Sequence, residues 1–149
     1  MTYILKAILR IALLSGLFVC SGCSSWKSPE ATSPARPVTF PDYAEVTIPV
    51  NIAPLNFMVQ GAEYALAVFC HEGVEMLRVK GKDGVIQIPI KKWRELLKAA
   101  AGGNIDVQVS VWSKSCPEGI LYQSYPMHVS EYEIDPWISY RLIEPGYEG

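Results

Sequence analysis

Ile105-Asp106-Val107-Gln108-Val109-Ser110-Val111-Trp112 is the stretch that decides the fold. Ile105, Val107, Val109 and Val111 fall on one face of an extended chain, and Asp106, Gln108 and Ser110 on the other. Strict alternation of this kind marks a half-buried antiparallel strand. A strand with one apolar face needs a second layer to cover it.

The flanking sequence supplies that layer. Glu63 to His71 is apolar on both faces, with Tyr64, Leu66, Val68 and Cys70 on one and Ala65, Ala67, Phe69 and His71 on the other. Such a strand belongs in the middle of a sheet. Val46 to Val50 is a short strand that Pro49 assigns to an edge. Leu55 to Gln60 sets Leu55, Phe57 and Val59 on one face. Val74 to Lys80 and Val85 to Ile90 bracket Gly81-Lys82-Asp83-Gly84, a hairpin signal, because Gly and Asp tolerate the positive φ of tight turns. Ile120 to Tyr125, Met127 to Tyr132 and Trp137 to Ile143 complete about eight strands.

One helix interrupts them. From Lys91 to Ala101, the residues Trp93, Leu96, Leu97, Ala100 and Ala101 form a single apolar stripe, and Gly102-Gly103 ends it. The basic residues Lys91, Lys92, Arg94 and Lys98 leave open a second placement, flat on a membrane. The expected fold is an all-β, immunoglobulin- or fibronectin-like sandwich with one short amphipathic helix, over residues 41–149.

Composition narrows the function. The chain has 149 residues, 50% apolar and 19% charged, which is too apolar for disorder and long enough for one core. Eleven Pro and eleven Gly argue against a helical bundle. A formal net charge of -2 gives no electrostatic basis for nucleic-acid binding.

The first residues are an address. Lys6 and Arg10 precede the uncharged run Ile11 to Val19, which is too short to span a bilayer. Cys20-Ser21-Gly22-Cys23 follows and resembles a bacterial lipoprotein box, with small residues just before Cys23. Cys20 stands where that box prefers an aliphatic residue. The resemblance implies cleavage of residues 1–22 and modification of Cys23 with diacylglycerol and an amide-linked chain such as palmitate. Two or more chains hold a protein stably on a membrane. Cleavage leaves 127 residues and moves the side-chain charge from -2 to -4 with the loss of Lys6 and Arg10. The expected location is the Gram-negative outer membrane, with Ser24 matching the onward-sorting pattern and no clear tag to say which side the domain faces. Residues 23–40, rich in Ser and Pro, read as the lipidated Cys23 and a flexible tether.

Few residues carry chemistry. Cys70 and Cys116 are a candidate disulfide pair in an oxidising compartment, worth about 4 kcal/mol for a loop of that length, or else two separate thiols. A metal reading built on Cys70, His71, Cys116 and His128 lacks the close ligand spacing that zinc sites use. No GxSxG is present, and Glu131, Glu133 and Asp135 read as a solvated strand end. Gly102-Gly103-Asn104 follows a helix and does not open one, so it is no phosphate cradle. No enzyme activity, cofactor or metal is expected. Trp112, Tyr122, Tyr125, Tyr132, Trp137 and Tyr140 read either as sheet and core residues or as a platform for a glycan or a protein partner.

Two stretches carry a family likeness. Pro41-Asp42-Tyr43 with Val46 to Phe57 (VTIPVNIAPLNF), and Ile134-Asp135-Pro136 with Tyr140 to Glu148 (YRLIEPGYE), look like the N-terminal module of TolB-like (WD40-like) β-propeller lipoproteins. The resemblance covers residues 40–148. It implies a chain that continues into a CxxCH-type segment and propeller repeats, and this sequence has neither. No haem attachment carries over. The resulting expectation is an attachment or interaction module of a larger propeller lipoprotein, here as a truncated or split copy. The alternative is a carbohydrate-binding accessory module.

Overall fold

A computed structural model describes residues 27–135 and Trp137. The strands in chain order are β1 (Ala31–Thr32), β2 (Thr39–Phe40), β3 (Thr47–Pro49), β4 (Phe57–Val59), β5 (Tyr64–His71), β6 (Val74–Lys82) and β7 (Val85–Ile86). Helix α1 (Ile90–Ala99) follows, then β8 (Asn104–Ser113), β9 (Cys116–Leu121) and β10 (Tyr125–Ser130). They form a larger sheet of seven strands and a small one in the order β2-β4-β7. Both sheets are open, and the fold is an all-β, sandwich-like one.

The alternating stretch is the axis of the larger sheet. On one side β8 pairs antiparallel with β5, Ala67 facing Val109 and Phe69 facing Val107. On the other side it is shared. Its second half pairs with β9, and its first half with β10. The two-faced strand β5 is central, with β6 on its far side. β3 lies parallel to β10 at an edge, as Pro49 requires.

The apolar face assignments hold, although Ser110 on the polar face of β8 is buried as well. Ala65, Ala67 and Phe69 of β5 and Ile105, Val107, Val109 and Val111 of β8 line the main core. Leu66, Val68 and Trp112 form a second, smaller cluster on the opposite face, with Cys70 packed against it. Phe57, Val59 and Ile86 close the core from the small sheet. Helix α1 carries the chain from the small sheet to the larger one and buries Trp93, Leu96 and Leu97 in the main core. Trp93 meets Phe69 edge to face, with centroids 6.1 Å apart. Its apolar stripe is used up in the core, so that stripe is not free for a membrane. Ala101 lies past the helix end and is exposed, because the helix stops at Ala99, two residues earlier than the stripe suggests.

Three local expectations need correction. The turn at Asp83-Gly84 forms, with φ of 53° and 73°, but it does not close a two-strand hairpin. β6 pairs with β5 and β7 with β4, so the turn passes the chain between sheets. Its own groups are divided in the same way: Asp83 N–H donates to Glu63 O, and Val59 N–H donates to Gly84 O. The last two strands are shifted. The first covers Cys116–Leu121 and the second Tyr125–Ser130; together they run along one edge of β8, and the β8–β9 pairing is irregular between Val111 and Ser113. The expected tether is docked from Glu30 onward. Ala31–Thr32 pairs parallel with Ile120–Leu121, Thr39–Phe40 pairs with Met58–Val59, and Pro37 is buried. Pro and Ser permit this because an edge segment needs only a few of its N–H groups in the ladder. The strand expected over Trp137 to Ile143 lies, but for exposed Trp137, outside the described residues.

Candidate interaction surface

Strand directions give the molecule two poles. At the lower pole lie the turns after β4 and β6 and the β8–β9 turn. They are knit together by Glu63 N–H to Trp112 O, Asp83 N–H to Glu63 O and Val59 N–H to Gly84 O. The chain comes in at this pole, where Glu30 N–H donates to Glu118 O. At the upper pole lie the β5–β6 turn at Glu72-Gly73, the end of α1 and the segment leaving β10. Ten residues of β8 separate the poles, about 30 Å at the rise of a strand.

The segment leaving β10 is clamped. Asn51 Nδ2 donates to Ile134 O and Ile134 N–H donates to Asn51 Oδ1, both at 2.9 Å. Thr47, Ile48 and Pro49 of β3 with Ser130, Tyr132, Glu133 and Ile134 line a shallow open groove of about 230 Å³ beside it. Tyr132, Ile134 and Trp137 stand out from this end, Tyr132 at 81% and Trp137 at 85% exposure.

At the lower pole the outward face of the small sheet is apolar. Phe40 faces Met58, and Met58 faces Val85, so the three form one row across β2, β4 and β7. All three are exposed, Phe40 at 68%, and Val38 extends the row at 63%. Sequence reasoning missed this row. Its signal was present in Phe57-Met58-Val59, a strand apolar on both faces, but only the pairing register brings Phe40 and Val85 beside Met58.

The residues singled out from the sequence fall as follows. Cys23 lies outside the described residues. Of the two alternatives that the sequence leaves open for Cys70 and Cys116, a pair or two separate thiols, the structure has the second: both are free thiols. Cys70 lies opposite Asp106 and Cys116 opposite Ser113, seven residues apart along β8. That is about 23 Å of strand, against the 7 Å or less that a disulfide spans between Cα atoms. Partial burial pushes the Cys70 thiol up, with Glu75 and Asp106 adding to the effect. Desolvation and a hydrogen bond with Glu118 push the Cys116 thiol up as well. Both are therefore poor nucleophiles at neutral pH.

His71 and His128 share a partner at the upper pole. His71 Nδ1 donates to Asn104 O at 2.9 Å, and His128 Nδ1 to Asn104 Oδ1 at 3.2 Å. Cys116 sits at the other pole, so the four residues of the metal reading are not brought together. Among the described residues, no group of three or more His, Cys, Asp or Glu is placed to hold a metal ion. Glu131, Glu133 and Asp135 are all exposed. Gly102 N–H donates to Val129 O and Gly103 N–H to Ala100 O, so both serve the helix end.

The aromatic residues are scattered. Trp112 and Tyr125 are buried, at 9% and 4% exposure, and Tyr122 is half-buried against the core. Tyr132 and Trp137 are exposed, and Tyr140 lies outside the described residues. Among the described residues, no helix is long and apolar enough to cross a membrane.

The family-like motif has a structural use. In VTIPVNIAPLNF, Asn51 clamps Ile134, and Asn56 Oδ1 accepts from Ile88 N–H at 2.8 Å just before α1. Trp93 Nε1 of the helix donates to Ile52 O at 3.1 Å. The motif thus ties the outgoing segment and the helix to one loop.

Comparison with known proteins gives no match to a family model, a curated protein or a solved structure.

Proposed function

We propose that this chain is a non-catalytic, lipid-anchored module of the Gram-negative outer membrane, which attaches or presents a partner or a following domain. Cys23 carries the acyl chains, and the β-sandwich is the spacer. The observation that carries this reading is the opposition of the two poles. The chain comes in at Glu30 on the lower pole, and Asn51 clamps it at Ile134 on the upper one. An anchor before Glu30 therefore attaches the chain at the end of the fold opposite Tyr132, Ile134 and Trp137, about 30 Å away along β8. The exposed apolar and aromatic side chains there suit contact with a protein. The motif resemblance to propeller lipoproteins makes a β-propeller the expected cargo.

Mass analysis of the mature N-terminal peptide tests the anchor. The expected result is a peptide that begins at acylated Cys23, together with a Cys23→Ala variant that stays soluble or uncleaved. A cleaved Cys23→Ala chain that still partitions with membranes would overturn the reading.

A further inference from the structure

We propose that the row Phe40–Met58–Val85, extended by Val38, is a membrane-contact face that seats the lower pole on the lipid surface beside the anchor. This inference rests on the acylation of Cys23.

Three observations carry it. The first is length. The tether that the composition suggests over residues 24–40 is in fact short, because the backbone is docked from Glu30. Only Ser24 to Pro29 separate Cys23 from that point, at most about 25 Å of extended chain. The second is position. Glu30 N–H meets Glu118 O at the lower pole, and Val85 follows the Asp83-Gly84 turn at that same pole. The acyl chains are thus held within reach of the row, and far from Tyr132 and Trp137. The third is chemistry. Four large apolar side chains stand exposed together on one face, Phe40 and Val38 more than half exposed. Their neighbours on the reverse of the same strands, Phe57, Val59 and Ile86, are buried in the core. The processed chain carries a side-chain charge of -4, so anionic lipid does not attract the domain. Shallow insertion of apolar side chains is the contact left to it.

A short tether makes this contact effectively intramolecular, so weak insertion suffices. Its consequence is orientation. A domain seated on this face is held in one orientation on the lipid surface instead of tumbling on its tether.

The test uses the full chain, expressed and processed in an envelope-bearing host and reconstituted in phosphatidylethanolamine–phosphatidylglycerol vesicles. Cys70→Ala and Cys116→Ser remove the body thiols, and a nitroxide is placed at Met58→Cys or, as control, at Tyr132→Cys. The readouts are the relative access of oxygen and of a water-soluble nickel chelate to each label, and the mass of the Cys23 peptide. The expected result is an acylated chain in which label 58 has a several-fold higher oxygen-to-nickel ratio than label 132. Adding Phe40→Asp and Val85→Asp, in a chain shown by its melting temperature to be folded, should return label 58 to the ratio of label 132. An acylated chain with equal ratios at both labels overturns the membrane contact and leaves the anchor standing. An unacylated chain with a raised ratio at 58 overturns the anchor and upholds the contact face. An unacylated chain with an aqueous ratio at 58 overturns both. Dipolar broadening between labels at 58 with an aqueous ratio would assign the row to a second copy of the chain, and would also overturn the proposal.

Discussion

The carboxamide of Asn51 makes both of its hydrogen bonds to the backbone of a single residue, Ile134, 83 positions further along the chain. A side-chain amide used in this way imitates one rung of a β-ladder. It holds the outgoing segment beside β3, where Pro49 has no N–H to continue a ladder. Asn51→Ala removes both bonds at a solvent-accessible site, so the loss is local, about 1–2 kcal/mol. Chymotryptic cleavage at Tyr132 should accelerate several-fold while the melting temperature hardly moves. Unchanged cleavage would mean that the clamp does not hold the segment.

Asn56 is the second polar tie of the same loop. Its Oδ1 accepts from Ile88 N–H, a partly buried group just before the helix. Asn56→Ala leaves that N–H without its acceptor and should cost about 1–2 kcal/mol in urea unfolding. Asn56→Asp keeps an acceptor oxygen and should cost distinctly less. Equal costs for the two variants would show that the bond contributes nothing.

The thiols give a direct chemical check. With Cys70 and Cys116 about 23 Å apart along β8, the chain carrying Cys23→Ala should show the same intact mass before and after reduction. Both body thiols should alkylate without reductant once the pH is raised. Because desolvation and nearby carboxylates push both thiols up, labelling at pH 7 should be slow and should quicken toward pH 10. A two-dalton shift on reduction would contradict the strand register.

The same register explains what the sequence could and could not convey. Alternation in β8 and the two-faced pattern of β5 are local periodicities, and both strands form where the pattern puts them. The stripe of α1 is local too, and Trp93, Leu96 and Leu97 are buried as it requires. Partner choice is non-local. A turn at Asp83-Gly84 is written in two residues, but whether it joins paired strands or two sheets depends on β4 and β5. The spacing of Cys70 and Cys116 is likewise invisible until β8 is seen to lie between their strands. The apolar row at the lower pole was hidden for that reason: its three residues come from three strands of only two or three residues each.

Gly119 sets the geometry under Trp112. Its φ is +85°, and a Cβ there would run into Trp112 Nε1 and the neighbouring ring atoms. The Trp112 indole thus lies directly over the backbone of β9, which lets Leu66 and Val68 pack beside it. Gly119→Ala combines a left-handed backbone with overpacking and should cost about 2–4 kcal/mol. A denaturant midpoint within error of the parent would rule out this stacking. Trp112→Ala with Gly119→Ala should recover part of the loss relative to Trp112→Ala and Gly119→Ala summed, since the clash goes with the ring.

Tyr125 gives the chain a definite alkaline limit. Its side chain is 4% exposed, and burial, with a smaller contribution from Asp42, pushes its phenol from 10 up to about 12. The folded state therefore keeps the proton between pH 10 and 12 while the unfolded state gives it up. Below pH 10 both states are protonated and the phenol costs nothing. As the pH climbs through that window the unfolded chain gains a charged form denied to the folded one, and stability falls. The fall reaches about 2–3 kcal/mol by pH 12, since each pH unit between the two ionisations contributes about 1.4 kcal/mol. Lysines titrate in the same range, so the informative quantity is a difference between two proteins. Tyr125→Phe keeps the ring in the core and removes the ionisation. Its urea midpoint relative to the parent should be nearly constant from pH 7 to 9 and should rise steadily from pH 10 to 11.5. Parallel profiles for the two chains across that range would mean that the phenol ionises as freely in the fold as out of it, which a buried position beside Val107 does not allow.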